Sequence, residues 1–270
     1  MQIVGINIFK RRIIKSIILE NNLWHNQNRI DSFTLHILAM LFMLCDHLWA
    51  TLFPAQEWMT CVGRLAFPIF AFMIAEGCYY TSNVKKYMLR LFLFAIISEI
   101  PFNLIMGSSV FYPFHQNVLW TFLLGVLSIQ IIEKAKKKQK KWISFFVVCL
   151  VLLMDFLLGT ITMVDYNAAG ILTVLLFYFF RKKTWISFVA QLVGLYYLNV
   201  VMLGNLYYPV TILGHHFEIA QQSFALLALI PIWLYHGEQG YHSKWFKYFC
   251  YAFYPVHFLI LFVIWQWRIR

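Results

Sequence analysis

Charge is scarce in this chain. Only 12% of its 270 residues are Asp, Glu, Lys or Arg, about half the level of a typical soluble domain, and 61% are hydrophobic. Too few polar residues are present to cover the surface elements of a soluble protein of this length. That excludes an ordinary globular enzyme, a disordered protein and a nucleic-acid-binding domain. The net charge of +11 does not alter this, because the basic residues lie between apolar runs rather than on one patch. The five cysteines lack any Cys-x-x-Cys spacing and all lie in apolar stretches, so they read as small buried hydrophobes. There is no phosphate loop, no dinucleotide fingerprint and no Gly-x-Ser-x-Gly elbow. His215, His216 and Glu218 form an incomplete ligand set, so no metal is expected.

What the chain does have is long apolar runs. A spanning helix needs about 20 mostly apolar residues. Nine candidates stand at about 32–53, 58–80, 87–106, 117–133, 142–159, 165–180, 184–203, 219–235 and 247–266. The fold class is therefore all-α, a polytopic integral membrane helix bundle. Residues 1–31 are set apart from this domain of 32–270. They mix Lys10, Arg11, Arg12 and Lys15 with Ile6, Phe9, Ile13, Ile14, Ile17 and Ile18 at helical spacing. This pattern predicts a basic amphipathic helix on the membrane surface rather than a cleaved leader.

The basic residues orient the bundle. With the N-terminus in the cytoplasm, the inner side receives five Lys/Arg before residue 32 and three at 85–90. Six more fall at 134–141, three at 181–183 and two at 244–247, nineteen in all. The four outer loops hold none. This asymmetry predicts nine spans with the N-terminus cytoplasmic, in a bacterial cytoplasmic membrane.

Ionisable groups at membrane depth cost a few kcal/mol or more and mark sites or pathways. Sorted by depth, Asp46, His47, Arg64, Glu99, Asn117, Asp155, Asp165 and Tyr166 fall in the outer half of the bundle. Glu76 lies towards the inner end, and Tyr254 and His257 near the middle of the last span. His47 is the sharpest candidate, because an imidazole accepts a proton near neutral pH. Asp46 need not orient it, since adjacent helical residues point about 100° apart. Asp46 pairs with Arg64 or caps a helix instead. Arg64 keeps its charge and needs an anion, which is Asp46, Glu99, a substrate group or a developing oxyanion. Glu99 and Glu76 are either neutral and packed or paired with Arg64 and Arg90. Asp155 reads as structural. Pro68, Pro101, Pro231 and Pro255 interrupt spans and free backbone carbonyls.

Several of these residues stand in a familiar order. Leu44-Cys45-Asp46-His47 is followed by Gly63-Arg64-Leu65-Ala66-Phe67-Pro68-Ile69-Phe70-Ala71-Phe72 and Ala75-Glu76-Gly77. Then come Ser98-Glu99-Ile100-Pro101-Phe102-Asn103, Asn117-Val118-Leu119 and Phe253-Tyr254-Pro255-Val256-His257. The order resembles the TraX family, named for the conjugal-transfer protein that acetylates pilin, over about Phe33 to Leu261. Asn103 and His236 depart from the family pattern, in which an acid and an asparagine are common.

The resemblance implies a multi-pass bacterial membrane acetyltransferase that takes its acetyl group from acetyl-CoA. The acceptor is an amine or hydroxyl on a peptide, glycan or lipid. The expected catalytic set is His47, Asp46, Arg64 and Glu99. Glu76, Asn117, Asp165, Tyr166, Tyr254 and His257 are expected to bind substrate, and Lys85, Lys86 and Arg90 the phosphates of acetyl-CoA. A proton-coupled transporter would use the same intramembrane groups. An interaction protein, such as an immunity factor, is a weaker third reading. No nucleic-acid partner is expected. A homodimer stays open, since two-fold contacts are common, although no helix carries an isolated small-residue dimer motif.

Overall fold

The computed structural model describes residues 30–204, 206–212 and 215–269. The predicted amphipathic helix within 1–31 therefore lies almost wholly outside the described residues. Helix α1 (Ser32–Thr51) starts where the Asp31 carboxylate accepts from the Thr34 amide at 2.8 Å. A side-chain oxygen at this position satisfies one of the four orphan donors of a helix start. The bundle continues through α2 (Glu57–Gly63), α3 (Ala66–Tyr80), α4 (Val84–Met106), α5 (Val118–Lys138), α6 (Lys141–Ile161) and α7 (Asn167–Phe179). Then come α8 (Trp185–Leu195), running into a π-helical stretch Tyr196–Met202, the strands β1 (Tyr207–Ile212) and β2 (His215–Ala220), a 3-10 helix Gln221–Ala228, α9 (Leu229–Leu234) and α10 (Lys244–Ile269). Asn83, Asn117 and Thr184 cap α4, α5 and α8 in the same way as Asp31.

Among the described residues, seven helical stretches are long and apolar enough to cross a membrane. Two more of the nine predicted spans are shorter apolar helices, Asn167–Phe179 and Gln221–Leu234. The eighth span, predicted from residue 219, starts later because 215–220 pair as a strand. Tyr207 stands opposite Ala220, and the two strands are antiparallel. Aromatic and β-branched residues dominate Tyr207-Tyr208-Pro209-Val210-Thr211-Ile212, which favours the extended form. This hairpin is the one local departure from an all-α fold among the described residues.

The second predicted span is one passage in two pieces. Pro68 has no N–H for the carbonyl of Arg64, and the proline ring crowds that carbonyl. The helix accordingly breaks at Arg64 and Leu65 and restarts at Ala66. Pro255, by contrast, sits inside an uninterrupted α10. In the π-helical stretch, the Asn199 side-chain amide donates to the Leu195 carbonyl at 3.0 Å. A side chain inserted into the ladder accommodates the extra residue per turn.

The passage α2–α3 and helix α5 form the centre, each with 56% of its apolar window buried, whereas α6 has 17% and lies at the edge. Ile69, Phe102, Phe177 and Phe258 are fully buried between them. Ile96, Ile97, Ile100, Phe145 and Phe146 face outward, as lipid-facing side chains do. Ile30 pairs with the Tyr235 segment at one end of the bundle, and Arg268 donates to the Leu52 carbonyl at the other. The predicted basic loops thus gather at the end that holds Ser32, Tyr80, Arg181 and Tyr235.

Helices α1 and α2 approach closely because Gly63 has no side chain. A Cβ there would collide with the backbone and side chain of Asp46. Gly63→Ala is expected to cost about 1–3 kcal/mol through overpacking. In detergent, a thermal melt of the variant that matched the wild type would contradict this packing.

Candidate functional site

Asp46 lies near the C-terminal end of α1 and faces the break in the second passage. Its Oδ1 accepts from the Thr60 hydroxyl at 2.7 Å and from the Arg64 guanidinium. Thr60 in turn accepts from the Gln221 amide at 3.1 Å, and Gln221 donates to the Tyr208 hydroxyl at 3.0 Å. Arg64 and Asp46 are 14% and 17% exposed, so the pair is shielded from solvent and lipid alike. Removing one member of such a buried pair typically costs about 3–5 kcal/mol, because the other charge is stranded. Arg64 uses one terminal nitrogen on Asp46. Its buried Nε has no protein partner. An orphaned donor on a buried guanidinium can hold an anion or a developing oxyanion.

His47 points away from this pair and meets His257 of α10. Its Nδ1 lies 2.6 Å from His257 Nε2. The rings are within 9° of parallel with centroids 4.9 Å apart. At that nitrogen distance, this separation means rings meeting edge-on in one plane rather than face to face. His257 Nδ1 lies 2.7 Å from the Phe253 carbonyl, which can only accept. The hydrogen of neutral His257 therefore sits on Nδ1, and its Nε2 carries a lone pair. His47 must then donate through Nδ1, which leaves His47 Nε2 as a free acceptor. A proton taken there is shared with His257 across the same bond. The orienting group for His47 is thus a second histidine, 210 residues away in sequence. Asp46 does not perform this role; it anchors Arg64.

A strained turn closes the site on the side of α7. Met163, Tyr166 and Asn167 all have positive φ, at 51°, 62° and 46°. Each such non-glycine residue costs on the order of 1–3 kcal/mol and persists only where its surroundings dictate it. Here Gln116 donates to the Met163 carbonyl, Asp165 donates to the Gln116 carbonyl, and the Thr121 hydroxyl donates to the Asp165 carbonyl at 2.6 Å. Gly170 leaves room for the Tyr166 Cβ. The Tyr166 ring stacks on Phe67 at 3.8 Å, just after the break at Arg64. The Tyr254 ring meets the His257 ring, with centroids 5.8 Å apart.

Glu99 does not pair with Arg64. Its Oε2 accepts from Asn117 and from the Trp120 indole, while the buried Oε1 has no partner. Asn117 also donates to the Ala95 carbonyl at 2.9 Å and caps α5, tying α5 to α4. Asp155 accepts from Ser128 at 2.7 Å, away from this centre.

The structure thus brings together Asp46, His47, Arg64, Asp165, Tyr166, Tyr254 and His257, with Glu99 and Asn117 on one flank. Glu76, Lys85, Lys86 and Arg90 are not part of this group. Glu76 pairs with Arg181, at 2.5 and 3.1 Å, and not with Arg90. Lys85 and Lys86 are exposed on the first turn of α4, and Arg90 reaches Tyr251 at 3.4 Å. Among the described residues no three His, Cys, Asp or Glu side chains cluster as metal ligands.

The matches to known proteins follow the same residues. The family described as TraX protein matches residues 32–265. The chain belongs to the TraX family. A TraX-like relative, described as a probable fimbrial assembly protein FimC, serogroup H1, of Dichelobacter nodosus, is 25% identical over 243 residues. The match covers 86% of this chain and 94% of the relative. No solved structure matches.

Sequence reasoning overlooked His115, Thr60 and Gln221, because single polar residues in loops and amphipathic turns carry no motif. His115 sits 3.4 Å from Asp165 in the loop before α5, and that carboxylate raises its pKa above the usual histidine value. Its stabilising contribution is present below about pH 6.5 and is lost as pH rises through the raised value. His115→Gln is expected to remove a component of the pH dependence of Tm above pH 6.5. An unchanged Tm–pH curve would show that the contact with Asp165 carries no stability.

Proposed function

We propose that this protein is a multi-pass membrane acetyltransferase of the bacterial cytoplasmic membrane, with its N-terminus in the cytoplasm. It takes the acetyl group from cytoplasmic acetyl-CoA and passes it to an amine or hydroxyl acceptor. The fimbrial-assembly description of the Dichelobacter relative favours an acceptor that is a surface-fibre subunit. The observation that carries the reading is the His257–His47 pair, which leaves His47 Nε2 as a free base in the same polar centre that holds the unpartnered Nε of Arg64. General base and oxyanion donor are the two groups that acyl transfer needs.

The acceptor's nitrogen or oxygen attacks the thioester carbon, and His47 Nε2 takes its proton. The charge gathers on the former carbonyl oxygen, opposite Arg64. The carbon–sulfur bond then breaks, and the proton returns from His47 to the leaving thiolate. His257 spreads the transient positive charge of the imidazolium over two rings. Asp46 keeps Arg64 in place, and Tyr166 with Tyr254 walls the acceptor. Two buried imidazoles joined by one proton would also suit a proton-coupled transporter, which moves a solute and needs no acyl donor.

Acetyl transfer from labelled acetyl-CoA to a peptide, glycan or lipid panel tests the reading on detergent-purified protein. His47→Ala is expected to lower the rate about 10²–10⁴-fold with the fold retained. His257→Ala is expected to fall between that variant and the wild type. Wild-type turnover by folded His47→Ala overturns the assignment. Solute uptake in vesicles without acetyl-CoA dependence supports the transporter.

A further inference from the structure

At the basic end of the bundle lies a pocket of about 300 Å³ that none of the chemistry above uses. That volume is at the lower end of the range for small-molecule sites. It opens between the end of α3, the α7–α8 connection and the segment after α9. Glu76, buried on α3, holds Arg181 through both carboxylate oxygens, and the Arg181 guanidinium lies 3.6 Å over the Tyr79 ring. This cation is neutralised and fixed.

Its two neighbours are not neutralised. Lys183 reaches across to the carbonyls of Trp233 and Tyr235, at 2.9 Å for the former. It thereby caps the C-terminus of α9 and keeps its charge at the pocket wall. Lys182 is exposed and forms no ion pair among the described residues. Two uncompensated ammonium groups therefore face one cavity with a single, already occupied carboxylate. The remaining walls are largely aromatic, with Phe72 and Tyr235 buried, Trp233 beside them and Tyr80 at the rim, and Gln191, Ile232 and His236 complete the lining. Gly237, at φ +87°, turns the backbone at the mouth, where a side chain would be strained.

We propose that this pocket binds the phosphate-bearing adenosine end of the acyl donor, with Lys182 and Lys183 on the phosphates and the aromatic walls against the base. Ammonium groups bind phosphate as point charges, and bases stack on aromatic side chains whatever their sequence. The assignment rests on the acetyltransferase reading for the identity of the donor. Glu76 is twelve residues beyond Arg64, roughly 18 Å at 1.5 Å per residue, a span that an extended phosphopantetheine arm covers. The cluster at Lys85, Lys86 and Arg90 is the weaker docking site, since its two lysines are exposed on an open helical turn and do not line this cavity.

The test uses the full-length protein in detergent, with adenosine 3′,5′-bisphosphate as the probe and adenosine as the uncharged control. A ligand that binds only the folded state raises apparent stability. The bisphosphate is expected to give a saturable thermal shift that adenosine does not match. Lys182→Glu is expected to raise its Kd about tenfold or more, and Lys137→Glu, which does not line the pocket, less than twofold. No saturable shift in the wild type overturns the proposal. So does a shift lost in Lys85→Glu/Lys86→Glu but kept in Lys182→Glu. Binding that depends on Lys182 without any acetyl transfer retains the nucleotide pocket and defeats the acetyltransferase reading. Transfer with an unchanged KM for acetyl-CoA in Lys182→Glu does the reverse.

Discussion

Arg64 cannot shed its charge, and it sits inside a bundle in which, among the described residues, seven helical stretches are long and apolar enough to cross a hydrocarbon layer. Much of this half of the bundle follows from keeping that guanidinium partnered. Asp46 supplies the anion, and Thr60 holds Asp46. Gly63 lets α1 and α2 approach closely enough for the pair to form. Pro68 breaks the second passage at the residue that must turn inward. The ion pair fixes where α1, α2 and α3 meet.

The same constraint divides labour between neighbours in sequence. Asp46 and His47 are adjacent, yet they face different partners, because successive helical side chains diverge by about 100°. Asp46 serves the cation. His47 is left to α10, where His257 and the Phe253 carbonyl set its hydrogen. The strained turn at Met163 to Asn167 sets the Tyr166 ring against Phe67, three residues beyond Arg64. Local strain held by several hydrogen bonds is a common price of such preorganisation. The result is a polar centre assembled from α1, the α2–α3 break, the turn before α7 and α10.

A second, basic centre lies at the other end of the bundle and has a different logic. There Glu76 serves Arg181, while the charges of Lys182 and Lys183 are left uncompensated around an aromatic cavity. One end thus hides its charge inside a closed pair, and the other presents charge to whatever enters.

The sequence by itself determined the class of protein, the number of apolar passages to within two short helices, and the residues worth watching. These are properties of composition and periodicity, and hydrocarbon enforces them on every segment separately. It also carried the family resemblance, through Gly63-Arg64, Phe67-Pro68 and Glu76-Gly77. It did not reveal that residues 207–212 and 215–220 pair as antiparallel strands, because six-residue stretches of mixed character do not separate strand from helix. Only the tertiary structure decided who meets whom. His47 with His257, Glu76 with Arg181 and Glu99 with Asn117 are separated by 210, 105 and 18 residues. A helical pattern fixes which face a side chain occupies. The packing of helices distant in sequence fixes what that face touches, and the partner of a charge is set there.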